Sequence, residues 1–292
     1  MSFQLAVFSD EVSQDLSKAI EVCKDFSLHG VEIRSVWDRK GPHDLSDDDL
    51  KRINDLLGEA GLAVCAISTP FLKCDIGNTV QYQEHIGILR RSIEVAHSLN
   101  APIIRGFTYW RTPDPNAVFD QIVEDYAEPV RILNEMDMVM GIENEASTNV
   151  GSGAELRRFI DAVGSERVVP LWDPCNERFL GPDFYPFPDG YEHVRGRVAH
   201  VHIKDARWNH DKNTAECTPI GDGEVRMAEQ LAALQQDGYN GWLSLETHWR
   251  PTELSEEELN RPGGASFSKE GEYASRVCLE KMIGILDGLA GR

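Results

Sequence analysis

Short runs of β-branched and apolar residues alternate along the whole chain with longer stretches whose apolar positions recur every three or four residues. The runs cover residues 3–8, 31–33, 62–67, 103–104, 139–142, 168–171, 198–203 and 242–245, eight in all. They are continuous rather than alternating, the pattern of strands buried on both faces in a parallel sheet covered by helices. Between the second and third runs, Ser46 and Asp49 predict a capping box, and Leu50, Ile53, Leu57 and Ala60 line one helical face that Gly61 ends. Tyr82, Ile86, Leu89, Ile93, Ala96 and Leu99 draw the same stripe before the fourth run, and Tyr273, Val277, Met282, Leu286 and Leu289 draw it in the last helix. Val118, Ile122, Val130 and Leu133 repeat less cleanly, with Pro129 predicting a kink or break.

Eight strand–helix units without a linker or low-complexity break predict an α/β fold, a single-domain (β/α)8 TIM barrel over residues 1–292. The competing doubly wound sheet loses ground because Ser9-Asp10-Glu11-Val12, not a GxGxxG, follows the first run. The stretches 175–195, 206–224 and 247–268 are far longer than simple connections, and in a barrel they are loops of the catalytic face.

Charge narrows the partners. Lys and Arg number 29 against 49 Asp and Glu, a net −20, which disfavours nucleic acid and anionic membrane surfaces. The six cysteines form no CxxC pair and are expected to be reduced, and the N-terminus carries neither a signal-like nor a membrane-spanning segment, so a cytoplasmic protein is expected.

Four polar residues interrupt or end the late runs: Glu143 after GI, Asp173 after LW, His202 within HVHIKD and Glu246 after LSL. In a parallel barrel the carboxyl ends of these strands share one mouth, so the four can converge on a single ion. Three carboxylates and one imidazole suit Mn2+, Mg2+, Co2+ or Zn2+. Glu145 rivals Glu143 and His200 rivals His202, since residues two apart share a strand face. Asp173, before Pro174, could instead start a turn.

The strings GIENE, LWDPCN, HVHIKD, PIGDGEV and GWLSLETH, with SDE and GVEIR at the front, resemble the sugar phosphate isomerase/epimerase family of xylose isomerase-like TIM barrels. That family includes ketose 3-epimerases, inosose dehydratases, hydroxypyruvate isomerases and, more distantly, endonuclease IV-type repair enzymes. The resemblance implies one divalent metal held by Glu143, Asp173, His202 and Glu246. It also implies proton transfer through a metal-stabilised enediolate, with Glu143 and Glu246 as the acid–base pair. The substrate implied is a sugar, a sugar phosphate or a related polyol ketone. The alternative is an inosose dehydratase-type lyase; an abasic-site endonuclease ranks low on charge, and an inactive binding barrel ranks low because four ligand-capable residues fall at strand ends. Where the epimerases often place a histidine three residues after the strand-six Asp, this chain has Asn176.

Asn176, Lys204, Arg105, Glu32 and His248 are the candidate substrate-binding residues, with Arg34 and Asp205 beside them. Phe71, Trp172, Trp208 and Trp249 are candidate apolar walls. The loop 247–268, with acidic residues at 256–258, is a candidate lid or subunit contact, which leaves a homo-oligomer open.

Overall fold

The eight apolar runs become eight parallel strands that close on themselves. In the computed structural model, which describes residues 3–252 and 264–291, these are β1 (Gln4–Phe8), β2 (Gly30–Ile33), β3 (Ala63–Ile67), β4 (Ile103–Gly106), β5 (Val139–Glu143), β6 (Val168–Trp172), β7 (His200–Ile203) and β10 (Trp242–Leu245). They pair in the order β1-β10-β7-β6-β5-β4-β3-β2 around the barrel, with β1 in register against both β2 and β10. Helices fill the return connections, so every strand end that carries chemistry faces the same mouth.

Local chemistry sets the helix ends. Ser46 and Asp49 form the expected capping box at the start of Asp47–Ala60, and Gly61 closes that helix at φ 69°. Ser152 and Glu155 make a second box at the start of Gly153–Val163. The break expected at Pro129 lies earlier: Phe119–Asp125 and Ala127–Glu135 meet at Tyr126, and Pro129 sits in the first turn of the second helix, where its missing N–H costs nothing. Tyr126 is fully buried there and donates its hydroxyl to the carbonyl of Phe107.

The loop stretches differ from plain connections. Residues 206–224 contain most of an antiparallel hairpin, β8 (Asp205–Asn209) and β9 (Thr214–Thr218). Within 175–195 lie the short helical turns Pro186–Gly190 and Tyr191–Val194. The acidic run at 256–258 falls outside the described residues, so the lid reading finds no structural account. No helix among the described residues is long and apolar enough to cross a membrane.

Candidate active site

Each proposed ligand is delivered by a strand end. Glu143 is the last residue of β5, His202 lies in β7, and Asp173 and Glu246 follow β6 and β10 directly. One ligand-capable atom from each of the four lies within 4.8 Å of those from the other three, and all four residues are buried. Asp173 is also the N-cap of Pro174–Arg178: its Oδ1 accepts from the backbone N–H groups of Cys175 (2.9 Å) and Asn176 (3.1 Å). That cap fixes the carboxyl plane and turns Oδ2 to the cluster. Asn144 ties the two strand ends together, donating to the Asp173 carbonyl at 2.8 Å and accepting from its N–H at 2.9 Å.

The rivals fall elsewhere. The chain leaves β5 after Glu143, and Glu145 pairs with Lys73 at 3.3 Å, outside the cluster. His200 turns its Nε2 to Glu32 at 2.9 Å. His202 lies between two carboxylates, with Nδ1 3.2 Å from Glu143 Oε1 and Nε2 3.1 Å from Glu32 Oε1. The ring of Phe8 meets it edge-on at 4.9 Å.

Of the substrate-binding candidates, Asn176 donates to Glu143 Oε1 at 2.9 Å, and Arg105 contacts Glu143 Oε2 at 3.0 Å. Lys204 lies 2.6 Å from Glu246 Oε2 and 3.0 Å from Asp173 Oδ2. Arg34 holds Asp10, Glu11 and Glu246 at once, at 2.9, 2.8 and 2.8 Å. His248 stands at the edge, with Nδ1 3.2 Å from Glu11 and 3.9 Å from Glu246. Glu32 is sealed from solvent beneath the two histidines. Asp205 anchors a loop instead, accepting backbone N–H groups of Ala206, Gly221, Gly223 and Val225. Phe71 and Trp172 belong to the core, while Trp208 and Trp249 are half-buried. A cavity of about 550 Å³, lined in part by Arg34, Ser68, Lys73, Arg105 and Trp110, opens beside the cluster over the ends of β2–β4. Its size is that of a small-molecule site.

Asp10, Glu11 and Arg250 complete the network and are not singled out by the sequence; Arg250 pairs with Glu11 at 2.9 Å. Burial opposes charge in the cluster, and its balance with neighbouring charges differs from group to group. For Glu143, Arg105 and His202 outweigh burial and push the carboxyl down to about 2. Lys204, His248 and Arg34 likewise hold Glu246 well below the usual range. Burial wins for Asp173, which rises to about 7 despite Lys204. His202 rises to about 10, because Glu32 and Glu143 outweigh its burial.

This donor set fits a divalent cation. Asp173 Oδ2 is buried with no hydrogen-bond partner, since Lys204 approaches it as an ion pair outside hydrogen-bonding geometry. Six carboxylates (Asp10, Glu11, Glu32, Glu143, Asp173, Glu246) meet four Lys and Arg side chains (Arg34, Arg105, Lys204, Arg250) in this ion-paired cluster, so acids outnumber the permanent cations that pair with them.

The sequence profile of xylose isomerase-like TIM barrels matches residues 20–269, and the chain belongs to that family. Among curated relatives, an inosose dehydratase of Geobacillus thermodenitrificans (strain NG80-2) is 22% identical over 245 residues, 78% of this chain and 73% of that protein. An inosose dehydratase of Erwinia tasmaniensis is 26% identical over 145 residues, 44% of this chain and 47% of that protein. Among solved structures, the IolI protein with a bound zinc atom superposes with a TM-score of 0.75 at 15% identity, covering 98% of this chain and 99% of that one. An L-ribulose 3-epimerase gives 0.73 at 17% identity, covering 99% and 96%.

Proposed function

We propose that this barrel is a divalent-metal-dependent isomerase or epimerase of a sugar, sugar phosphate or related polyol ketone. The observation that carries the reading is the gathering of Glu143, Asp173, His202 and Glu246 within 4.8 Å at the carboxyl ends of four barrel strands. Those four residues would hold the ion, and the zinc-bound neighbour supports a metal at such a mouth. The ion's contribution there is Lewis-acid polarisation of a substrate carbonyl and its adjacent hydroxyl.

The chain's own groups supply the proton transfer. Glu143 and Glu246 are kept ionised by Arg105, Arg34 and Lys204, the charge state a general base requires. They enter from strands separated by β6 and β7, so they approach a bound carbon from different directions. If Glu143 removes the proton, Glu246 can return one to the opposite face only after drawing it from the Lys204 ammonium 2.6 Å away, and that inverts a stereocentre; return by the now protonated Glu143 to the neighbouring carbon gives an aldose–ketose isomer. Asn176 and Arg105 orient Glu143 through the hydrogen bonds above, and burial of the cluster excludes bulk water from the transfer.

A second reading is a lyase that expels a hydroxyl β to the carbonyl. The inosose dehydratase relatives favour it, and so does Lys204, an ammonium donor lying between Asp173 and Glu246 where it could protonate a leaving hydroxyl. The deciding experiment pairs elemental metal analysis of the purified chain with incubation against free and phosphorylated ketoses and inososes. An epimerised or isomerised product of unchanged mass supports the first reading, and loss of one water supports the second. No metal and no turnover on either panel would sink both.

A further inference from the structure

Glu32 is a fully buried carboxylate whose ion-pair partners are the imidazoles of His200 and His202, not a lysine or arginine. Its Oε2 lies 2.9 Å from His200 Nε2 and its Oε1 lies 3.1 Å from His202 Nε2. The Ser68 hydroxyl donates to Oε1, and the Cys65 thiol sits 3.8 Å from Oε2. An ionised carboxylate only accepts, so both imidazoles must present Nε2–H to it. A neutral imidazole carries one ring proton. With that proton on Nε2, the Nδ1 lone pair of His202 faces Glu143 Oε1, itself an acceptor, at 3.2 Å. Two lone pairs in contact repel, so either a second ring proton or a metal cation stands between them, and with Nε2–H committed to Glu32 a metal enters by taking the place of the Nδ1 proton. Glu32 therefore lies on the far side of the histidine from the proposed ligand set, where it dictates which nitrogen is free.

We propose that Glu32 is a positioning residue: it fixes the tautomer of His202 so that Nδ1 is the metal-binding atom, and His200 anchors Glu32 for that task. The proposal rests on the metal reading given above. It assigns Glu32 a role away from substrate, because the carboxylate has no exposed surface and both its oxygens are engaged. Outer carboxylates that orient ligating histidines commonly change metal affinity by about 10–100-fold when removed.

The test uses the full chain and the metal ion alone. First, nitrogen-15 spectra of histidine-labelled, Zn2+-loaded wild type are recorded; His202 is expected to show a protonated Nε2 and a metal-shifted Nδ1. A protonated Nδ1 or a metal-shifted Nε2 overturns the proposal, and this measurement needs no variant to fold. Second, Co2+ affinity is measured by chelator competition for wild type and Glu32→Gln, with thermal unfolding of both to confirm a folded variant. The substitution keeps the side chain's shape but removes its charge and one acceptor. At least about tenfold weaker Co2+ binding by the folded variant is expected, and a smaller loss overturns the proposal while leaving the four-ligand site standing. Wild type that binds neither ion overturns both this role and the metal site itself.

Discussion

Lys204 Nζ lies 2.6 Å from Glu246 Oε2, which brings a permanent cation against a residue proposed to bind another. Lys204 also reaches Asp173, so its single charge is shared between two of the three carboxylates in the set. Removing one partner of a buried ion pair costs about 3–5 kcal/mol because the other charge is left uncompensated. Lys204→Met should therefore unfold several degrees below wild type when metal is stripped with a chelator. Added Co2+ should restore more stability to the variant than to wild type, since it replaces the missing charge. Equal Co2+-induced shifts in melting temperature would show that Lys204 and the ion do not share these carboxylates.

Asp173 offers a cleaner test of the ligand set than deletion does. Its Oδ1 caps a helix while Oδ2 faces the cluster. Loss of the cap as well would cost about 1 kcal/mol and blur the result. Asp173→Asn can keep the cap through its amide oxygen and still remove the ligand charge. We expect about one divalent ion per wild-type chain by elemental analysis and a small fraction of that in the variant, with the far-ultraviolet circular dichroism unchanged. His202→Ala should lose the metal in the same way. Full metal content in both proteins would refute the assignment.

How far the site is legible in the sequence depends on how local its determinants are. The capping box at Ser46 and the helical stripe behind it are readable because a helix end is written within four residues. Glu143, Asp173, His202 and Glu246 are readable because each breaks an apolar run at a strand end, and the resemblance to a known family supports the same four. Glu143 and Glu145 share a strand period, however, and only the termination of β5 separates them. Asp10 and Glu11 appear in the sequence only within the SDE string after the first run, and their place in the charge network depends on Arg34 and on Arg250, a partner 239 residues away from Glu11. The β8–β9 hairpin carries mixed polar sequence, DARWN and TAECT, and reads as loop because neither strand shows an apolar run. Glu32 is visible, but its direction is not: the same strand residue could have faced substrate, and the two histidines of β7 decide otherwise.

Asn176 marks this chain's departure from the epimerase pattern, and its geometry defines what the amide does. It donates to Glu143 Oε1 at 2.9 Å, beside the Arg105 contact to Oε2. Asn176→Asp would replace that donor with a second carboxylate against Glu143, a buried like-charge pair that raises the proton affinity of both. Turnover of the substrate found in the panel should fall by about 100-fold at neutral pH, the lower end of the roughly 100- to 10,000-fold that a general base contributes. The loss should lessen toward lower pH, where the introduced carboxyl takes up a proton and again donates to Glu143. A rate deficit that stays the same across the pH range would place Asn176 outside the orientation of Glu143.

Glu177 gives a pH-dependent stability that is separate from the ligand cluster. It is buried, accepts the N–H of Gly153 at 3.0 Å, and has Glu155 and Asp189 as negative neighbours. Burial raises its pKa to about 7 from an ordinary 4.5, with the Gly153 hydrogen bond opposing and the two carboxylates adding to the rise. The folded chain thus binds this proton more tightly than the unfolded chain. Its contribution is complete below about pH 4.5, declines as pH rises, and is gone above about pH 7. A shift of this size corresponds to about 3 kcal/mol at roughly 1.36 kcal/mol per unit. Glu177→Gln can still accept from Gly153 but does not titrate, so the stability of the variant relative to wild type should climb by about that amount between about pH 4.5 and 8. Denaturant unfolding at a series of pH values measures the difference, in which titrations common to both proteins cancel. A difference that is flat with pH would mean that Glu177 is ionised in the folded chain throughout and that its burial is compensated by a donor other than Gly153.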